Sequence, residues 1–338
     1  MRSLRILTVA FCMCLIFARM SPAQQPNQPE PTASQQQPTA SGAVPTPPAA
    51  EQIRKTVAFL MVAYQNGAVQ GGVIGTCFFV AVPDNRLGEN RAFIYLVTNR
   101  HVAQPGIDLG NPHPVETVFL RMNFVTPEGG AQSVQAPIAM GDRIHWYFPS
   151  DEAIDLAVLP LAPDQKRFAY SPIPSDIIVT SEQVKTSEVG IGDPVTFAGY
   201  FSNFPGHNRM EPIVREGVVA MMPEEKLSTT LHKQGQLFLA DLHAFHGNSG
   251  SPVFVNIGGF HRGALYAGDN YRLLGVISGY YPESVGFSVP AATVLTGEVR
   301  DNSGIATIVP GYELAKLLNS PALQADRDSQ IANLTKKP

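Results

Sequence analysis

From residue 56 to residue 290 the chain is a train of short runs rich in β-branched and aromatic residues: TVAFLMVAY, GGVIGTCFFVAV, AFIYLVTN, TVFLRMNFV, DLAVLPL, DPVTFAGY, EGVVAMM, QLFLADL, SPVFVNI, RLLGVISGYY and VGFSVP. Gly, Pro, Asn and Asp separate them, which is the signature of strands joined by turns. No segment carries a helical apolar stripe before YELAKLLN at 312–319. Many short strands without intervening helices leave sandwiches and barrels as the available architectures. Residues 53–310 are too many for one small barrel, so two β units packed together are expected. PDNRLGEN (83–90), FSNFPGHNRMEP (201–212) and PEEKLSTTLHKQGQ (223–236) read as surface loops.

The first 52 residues have a different character. Arg2 and Arg5 precede the apolar run ILTVAFCMCLIFA (6–18), and Ser21-Pro22-Ala23 puts small residues where a signal peptidase reads. The run is short for a transmembrane helix. Residues 1–23 therefore read as a cleavable signal peptide, and the expected location is secreted or periplasmic, with no membrane association after cleavage. Residues 24–52 are dominated by Gln, Pro, Ser, Thr and Ala and bury too little to fold, so they read as a disordered Pro/Gln-rich linker. The net charge is −4 with no run of Lys or Arg, which argues against a nucleic-acid partner. Of three cysteines, Cys12 and Cys14 leave with the signal. Cys77 alone cannot form an internal disulfide, and in GTCFFV it reads as a small buried hydrophobe.

Three strand ends deliver chemically able side chains. YLVTNRHVA delivers His101, AIDLAVLPL places Asp155 at the head of a buried run, and GNSGSPVF presents Ser249 between glycines. A serine hydroxyl is a weak nucleophile. It needs a neutral imidazole to take its proton and a carboxylate to hold that imidazole's tautomer. The N–H groups of Gly247 and Ser249 are the candidate oxyanion donors. Gly247 allows the turn, and Gly250 is expected to leave room for substrate.

With these motifs on the page, the chain resembles bacterial trypsin-like (chymotrypsin-fold) serine proteases. TNRHV (98–102), DLAVL (155–159) and GNSGSPVF (247–254) are similar to that family's histidine, aspartate and nucleophile motifs. REGVVA (215–220) resembles a second-barrel strand of HtrA-type proteases, and GNSGSPVF resembles glutamyl endopeptidases. The similarity spans about residues 55–312. It implies an all-β fold of two six-stranded antiparallel barrels, about 53–165 and 185–300, with the site between them. A short C-terminal helix and tail follow over 311–338. It implies no cofactor and no metal. Protein or peptide substrates would be cut through an acyl-enzyme by His101, Asp155 and Ser249. The PDZ module of the heat-shock relatives is missing, so a monomer is favoured.

GVISGY (275–280) and VGFSVP (285–290) resemble the strands that wall the primary specificity pocket. On that basis His243, six residues before Ser249, falls at the floor, Ser278, Gly279 and Tyr280 form the edge that pairs with substrate, and Gly286 lines the opposite wall. No Asp occupies the floor position, which disfavours a trypsin-like preference for Lys or Arg. Asn248 stands where digestive trypsins carry the aspartate that pairs with a newly cut N-terminus, so activation by such a cut is not expected. Two further classes draw on residues of the same kinds. His243-x-x-His246 with His261 lacks the Cys pair or HExxH of a zinc site, and His246 is expected to face the cleft instead. A secreted protease-like domain that binds without cutting would show the same three motifs.

Overall fold

The structure is a computed structural model that describes residues 49–89, 91–289 and 295–335. All of them belong to one unit, Pro47–Pro338. Its first half holds six strands: β1 (Val57–Asn66), β2 (Val69–Pro83), β3 (Ala92–Thr98), β4 (Val115–Glu128), β5 (Ala131–Met140) and β6 (Ala157–Pro160). They hydrogen-bond in the order β5-β4-β1-β2-β3-β6, with a two-residue strand, Ile173–Pro174, added parallel to β2. The second half holds β7 (Pro194–Gly199), β8 (Ile213–Met221), β9 (Phe238–Asp241), β10 (Pro252–Asn256), β11 (Tyr271–Val289) and β12 (Leu295–Pro310). These close into a barrel in the order β9-β12-β11-β10-β7-β8. The fold is all-β and chymotrypsin-like. The first half departs from a closed ladder: among the described residues β5 and β6 do not pair, and one bridge, Tyr147 to Val158, links the chain after β5 to β6.

Burial explains why the strands read as continuous apolar runs. On β2, Cys77 and Phe79 fill the interior of the first half, while Phe78 and Val80 enter a core shared by both halves. On β10, Val253 and Val255 fill the second barrel and Phe254 joins the shared core. Strands buried on both faces need no polar alternation. Cys77 is fully buried, with Sγ 3.5 Å from the Ala58 carbonyl, and burial pushes its thiol pKa far above the ordinary range.

Helices are few. Ala49–Arg54 (α1) begins within the last residues of the stretch read as linker (24–52), runs past its end and buries Ile53 in the shared core. Arg100–Ala103 (α2) follows β3. Ser181–Lys185 (α3) lies between the halves and begins with a capping box, Thr180 and Gln183 each capping the other's backbone. The C-terminal region contains two helices rather than one: α4 (Gly311–Leu318) and α5 (Pro321–Thr335). Arg327 of α5 is buried and donates to the Tyr95 hydroxyl (3.1 Å) and the Leu318 carbonyl (2.9 Å). Arg327→Met strands both acceptors and should destabilise the fold by about 2 kcal/mol, read from urea unfolding. A loss within error of zero would mean that α5 is held by its apolar contacts alone.

Candidate active site

His101 and Asp155 meet because β3 and β6 pair. Thr98 lies opposite Ala157, so the residue three beyond one and the residue two before the other emerge at the same end of the sheet. His101 Nδ1 is 2.7 Å from Asp155 Oδ2, and the His101 N–H donates to Oδ1 at 3.0 Å. Asp155 is fully buried. Its Oδ2 also accepts from the Ser278 hydroxyl at 2.6 Å, and Thr230 Oγ1 lies 2.8 Å from that hydroxyl. Asn99 Nδ2 holds the Asp155 carbonyl at 2.8 Å. Burial works against ionising either partner. In Asp155 the His101 charge and the three hydrogen bonds outweigh it, and the carboxyl stays below its usual range. In His101 burial is outweighed by the attraction of Asp155 and the bond to it, and the imidazole's pKa is raised. Each partner therefore favours the charged form of the other.

Ser249 stands on the turn between β9 and β10. Asn248 N–H donates to the Phe245 carbonyl (2.9 Å), while its side chain accepts from Phe245 N–H (2.8 Å) and donates to the Tyr200 carbonyl (2.7 Å). The side chain at the position that sets Asn248 apart from digestive trypsins is thus buried and satisfied by two neutral backbone groups. Among the described residues, the N–H groups of Gly247 and Ser249 have no acceptor within the protein. Gly247 has φ +92°, and a Cβ there would lie 2.4 Å from the Tyr200 ring. Gly250 has φ +86°, but the space it leaves is not for substrate. A Cβ would lie 2.0 Å from the Thr76 carbonyl and 2.5 Å from Thr98 Oγ1, so this glycine lets the two halves touch.

Ser249 and His101 line one open cleft of about 540 Å³. Ser249 Oγ donates to the Ser278 carbonyl at 3.3 Å; among the described residues it makes no hydrogen bond to His101. Ser278, Gly279 and Tyr280 line the cleft, and so does His246, whose ring meets Tyr280 edge-on at 6.0 Å. His243 and Gly286 are not among the lining residues. His243 lies just past the end of β9, between buried Leu242 and Ala244, at an exposed position beside Gly304. Gly286 pairs with Glu298 in a long ribbon formed by the outer ends of β11 and β12. The strand returning beside Gly279 and Tyr280 is Ile305–Pro310, with Thr307 opposite Gly279 and Ala306 opposite Tyr280. Gly279 and Tyr280 are thus flanked by GIATIVP, and Gly286 of VGFSVP lies in the outer ribbon. Thr307, Thr230, Tyr281 and Asp301 are lining residues that the motifs did not single out. One signal was present: GIATIVP runs directly into the C-terminal helix.

A buried carboxylate gripping an imidazole, a hydroxyl in the same cleft and two unpaired N–H groups flanking it are the kinds of group that acyl transfer by a nucleophilic serine uses. The trypsin-like peptidase domain family matches residues 75–260, more than half of the chain and inclusive of all three motifs. The chain belongs to that family. Among solved structures it is similar to an HtrA-type protease, AlgW with a tripeptide, at 14% identity and a TM-score of 0.43. That likeness covers 80% of this chain, which spans 62% of the AlgW chain's length. No curated protein matches.

Proposed function

We propose that this peptidase is an exported serine endopeptidase. The observation that carries the reading is the buried, hydrogen-bonded pair Asp155–His101 sharing one cleft with Ser249. Ser249 Oγ attacks the scissile carbonyl carbon as its proton passes to His101 Nε2. The oxyanion is met by the N–H groups of Gly247 and Ser249. Collapse breaks the C–N bond, and the leaving amine takes the proton from His101, leaving an ester on Ser249. Water, deprotonated by the same imidazole, cleaves that ester and returns the proton to Oγ. Ser278, with Thr230 behind it, helps hold Asp155 ionised.

One observation favours a second reading, a protease-like domain that binds peptides without cutting them: the Ser249 hydroxyl rests on the Ser278 carbonyl instead of on His101. Rotation about the Ser249 Cα–Cβ bond would release it, and loose hydrogen bonds before substrate arrives are common in active enzymes. Labelling with a fluorophosphonate separates the readings. The peptidase reading requires modification of the parent protein that Ser249→Ala loses. An unlabelled parent would leave the binding domain standing.

His101 must be neutral to accept the proton. Because Asp155 raises its pKa despite burial, the rate of labelling should fall as pH drops through a value above the ordinary histidine value of about 6.5. A flat rate from about pH 5 to about pH 8 would remove His101 from the role of base.

Export rests on residues 1–23, which lie outside the described residues. Active protein should begin at Gln24. No cut near Val57 is needed, because Asn248 already has its partners and Val57 is built into β1 opposite Phe78. Edman sequencing of the labelled species tests both points; an active form that begins only at a fresh cut near Val57 would overturn the second.

A further inference from the structure

Thr76 lies on β2 in the first half, outside the three motifs, yet its polar atoms reach the second half and the approach to His101. Its N–H donates to the Ser249 carbonyl at 2.8 Å. Its hydroxyl donates to the Gly247 carbonyl at 2.8 Å and accepts from the Tyr200 N–H at 2.9 Å. Its carbonyl accepts from Thr98 Oγ1 at 2.9 Å, three residues before His101. Thr76 is fully buried, so water does not stand in for these partners.

We infer that the Thr76 hydroxyl is a positioning group that orients the oxyanion turn and fixes its register against the strand carrying His101. This rests on the peptidase reading above. The carbonyl of Gly247 is held to the first half by Thr76, and Asn248 N–H and its side chain fix the other side of the turn. With these groups engaged, the remaining N–H groups of Gly247 and Ser249 stay unpaired toward substrate. Tyr200 closes the circuit: its N–H ends on Thr76, its carbonyl on Asn248, and its ring packs where a Cβ of Gly247 would stand. The hydroxyl is needed because one atom must both accept from Tyr200 and donate to Gly247. A methyl group does neither, and a serine does both.

Thr76→Val keeps the shape of the side chain and removes the hydroxyl; Thr76→Ala removes it without adding bulk; Thr76→Ser keeps it. Fluorophosphonate labelling of Ser249 in the full chain, with the maximal rate separated from half-saturation, reads the result. Both hydroxyl-free variants should lose about 10²-fold in maximal rate with half-saturation nearly unchanged, since the loss falls on the oxyanion and not on encounter. Thr76→Ser should recover to within a few-fold of the parent. The pH limb set by His101 should stay in place. Parent-like maximal rates in Thr76→Val and Thr76→Ala overturn the inference, as does a loss confined to half-saturation. If neither hydroxyl-free variant folds while Thr76→Ser does, the hydroxyl serves folding and the inference also fails. An unlabelled parent would instead remove the peptidase reading itself, and this inference with it.

Discussion

Asp155→Asn is expected to slow labelling of Ser249 by about 10⁴-fold while the fold survives. The size of the effect follows from which oxygen each partner uses. Oδ1 accepts from the backbone N–H of His101, a group that can only donate. An asparagine must keep its carbonyl oxygen there, so its NH₂ falls at the Oδ2 position, facing His101 Nδ1 and the Ser278 hydroxyl. Nδ1 then becomes the acceptor and its proton moves to Nε2, the nitrogen that must be free to take the proton of Ser249. The variant is filled and hydrogen-bonded, and carries the wrong tautomer. Thermal unfolding close to that of the parent with a large loss of rate is the expected pair of results. A loss below about tenfold would show that the carboxylate charge and tautomer control matter little here.

The second large effect falls on stability. Gly250→Ala combines a backbone penalty at φ +86° with a Cβ 2.0 Å from the Thr76 carbonyl. That carbonyl belongs to a strand buried on both faces and cannot retreat unless the two halves part. The expected cost is about 4 kcal/mol, the sum of left-handed backbone strain and overpacking, read from chemical unfolding. Gly129→Ala is the control. It has φ +57° with nothing within 4 Å of its Cβ, so it carries the backbone part alone, about 1 kcal/mol. Equal costs at the two sites would show that contact between the halves at Gly250 yields easily.

The sequence made the reactive groups legible because each sits at a strand end in a short, chemically restrictive context. Ser249 needs its turn glycine, and Asp155 heads a run too apolar to hold an unpaired charge. What brought His101 and Asp155 together, the register of β3 against β6, is a long-range pairing that neither segment displays alone. The run that flanks the substrate edge is set by register in the same way. VGFSVP and GIATIVP are both glycine-bearing apolar runs, and only the pairing of β11 with β12 decides which of them returns beside Tyr280. Counting back six residues from Ser249 puts His243 at the floor, whereas the course of the chain past the end of β9 leaves it exposed between buried Leu242 and Ala244. Helix α5 was hidden because its packed residues are sparse: Leu323, Ile331 and the buried Arg327 give a weak stripe.

The shared core has a consequence for the order of assembly. It draws Ile53 from the start of the described unit, Phe254 and Val276 from the second barrel, and Leu314 and Leu323 from the closing helices. Contacts so distant along the chain form slowly, because their loop-closure entropy is spent before any contact returns it. A ribosome delivers residue 53 long before residue 323. A growing chain can fold local hairpins early, but the core that joins the two halves is complete only once residues as late as Leu323 have reached it.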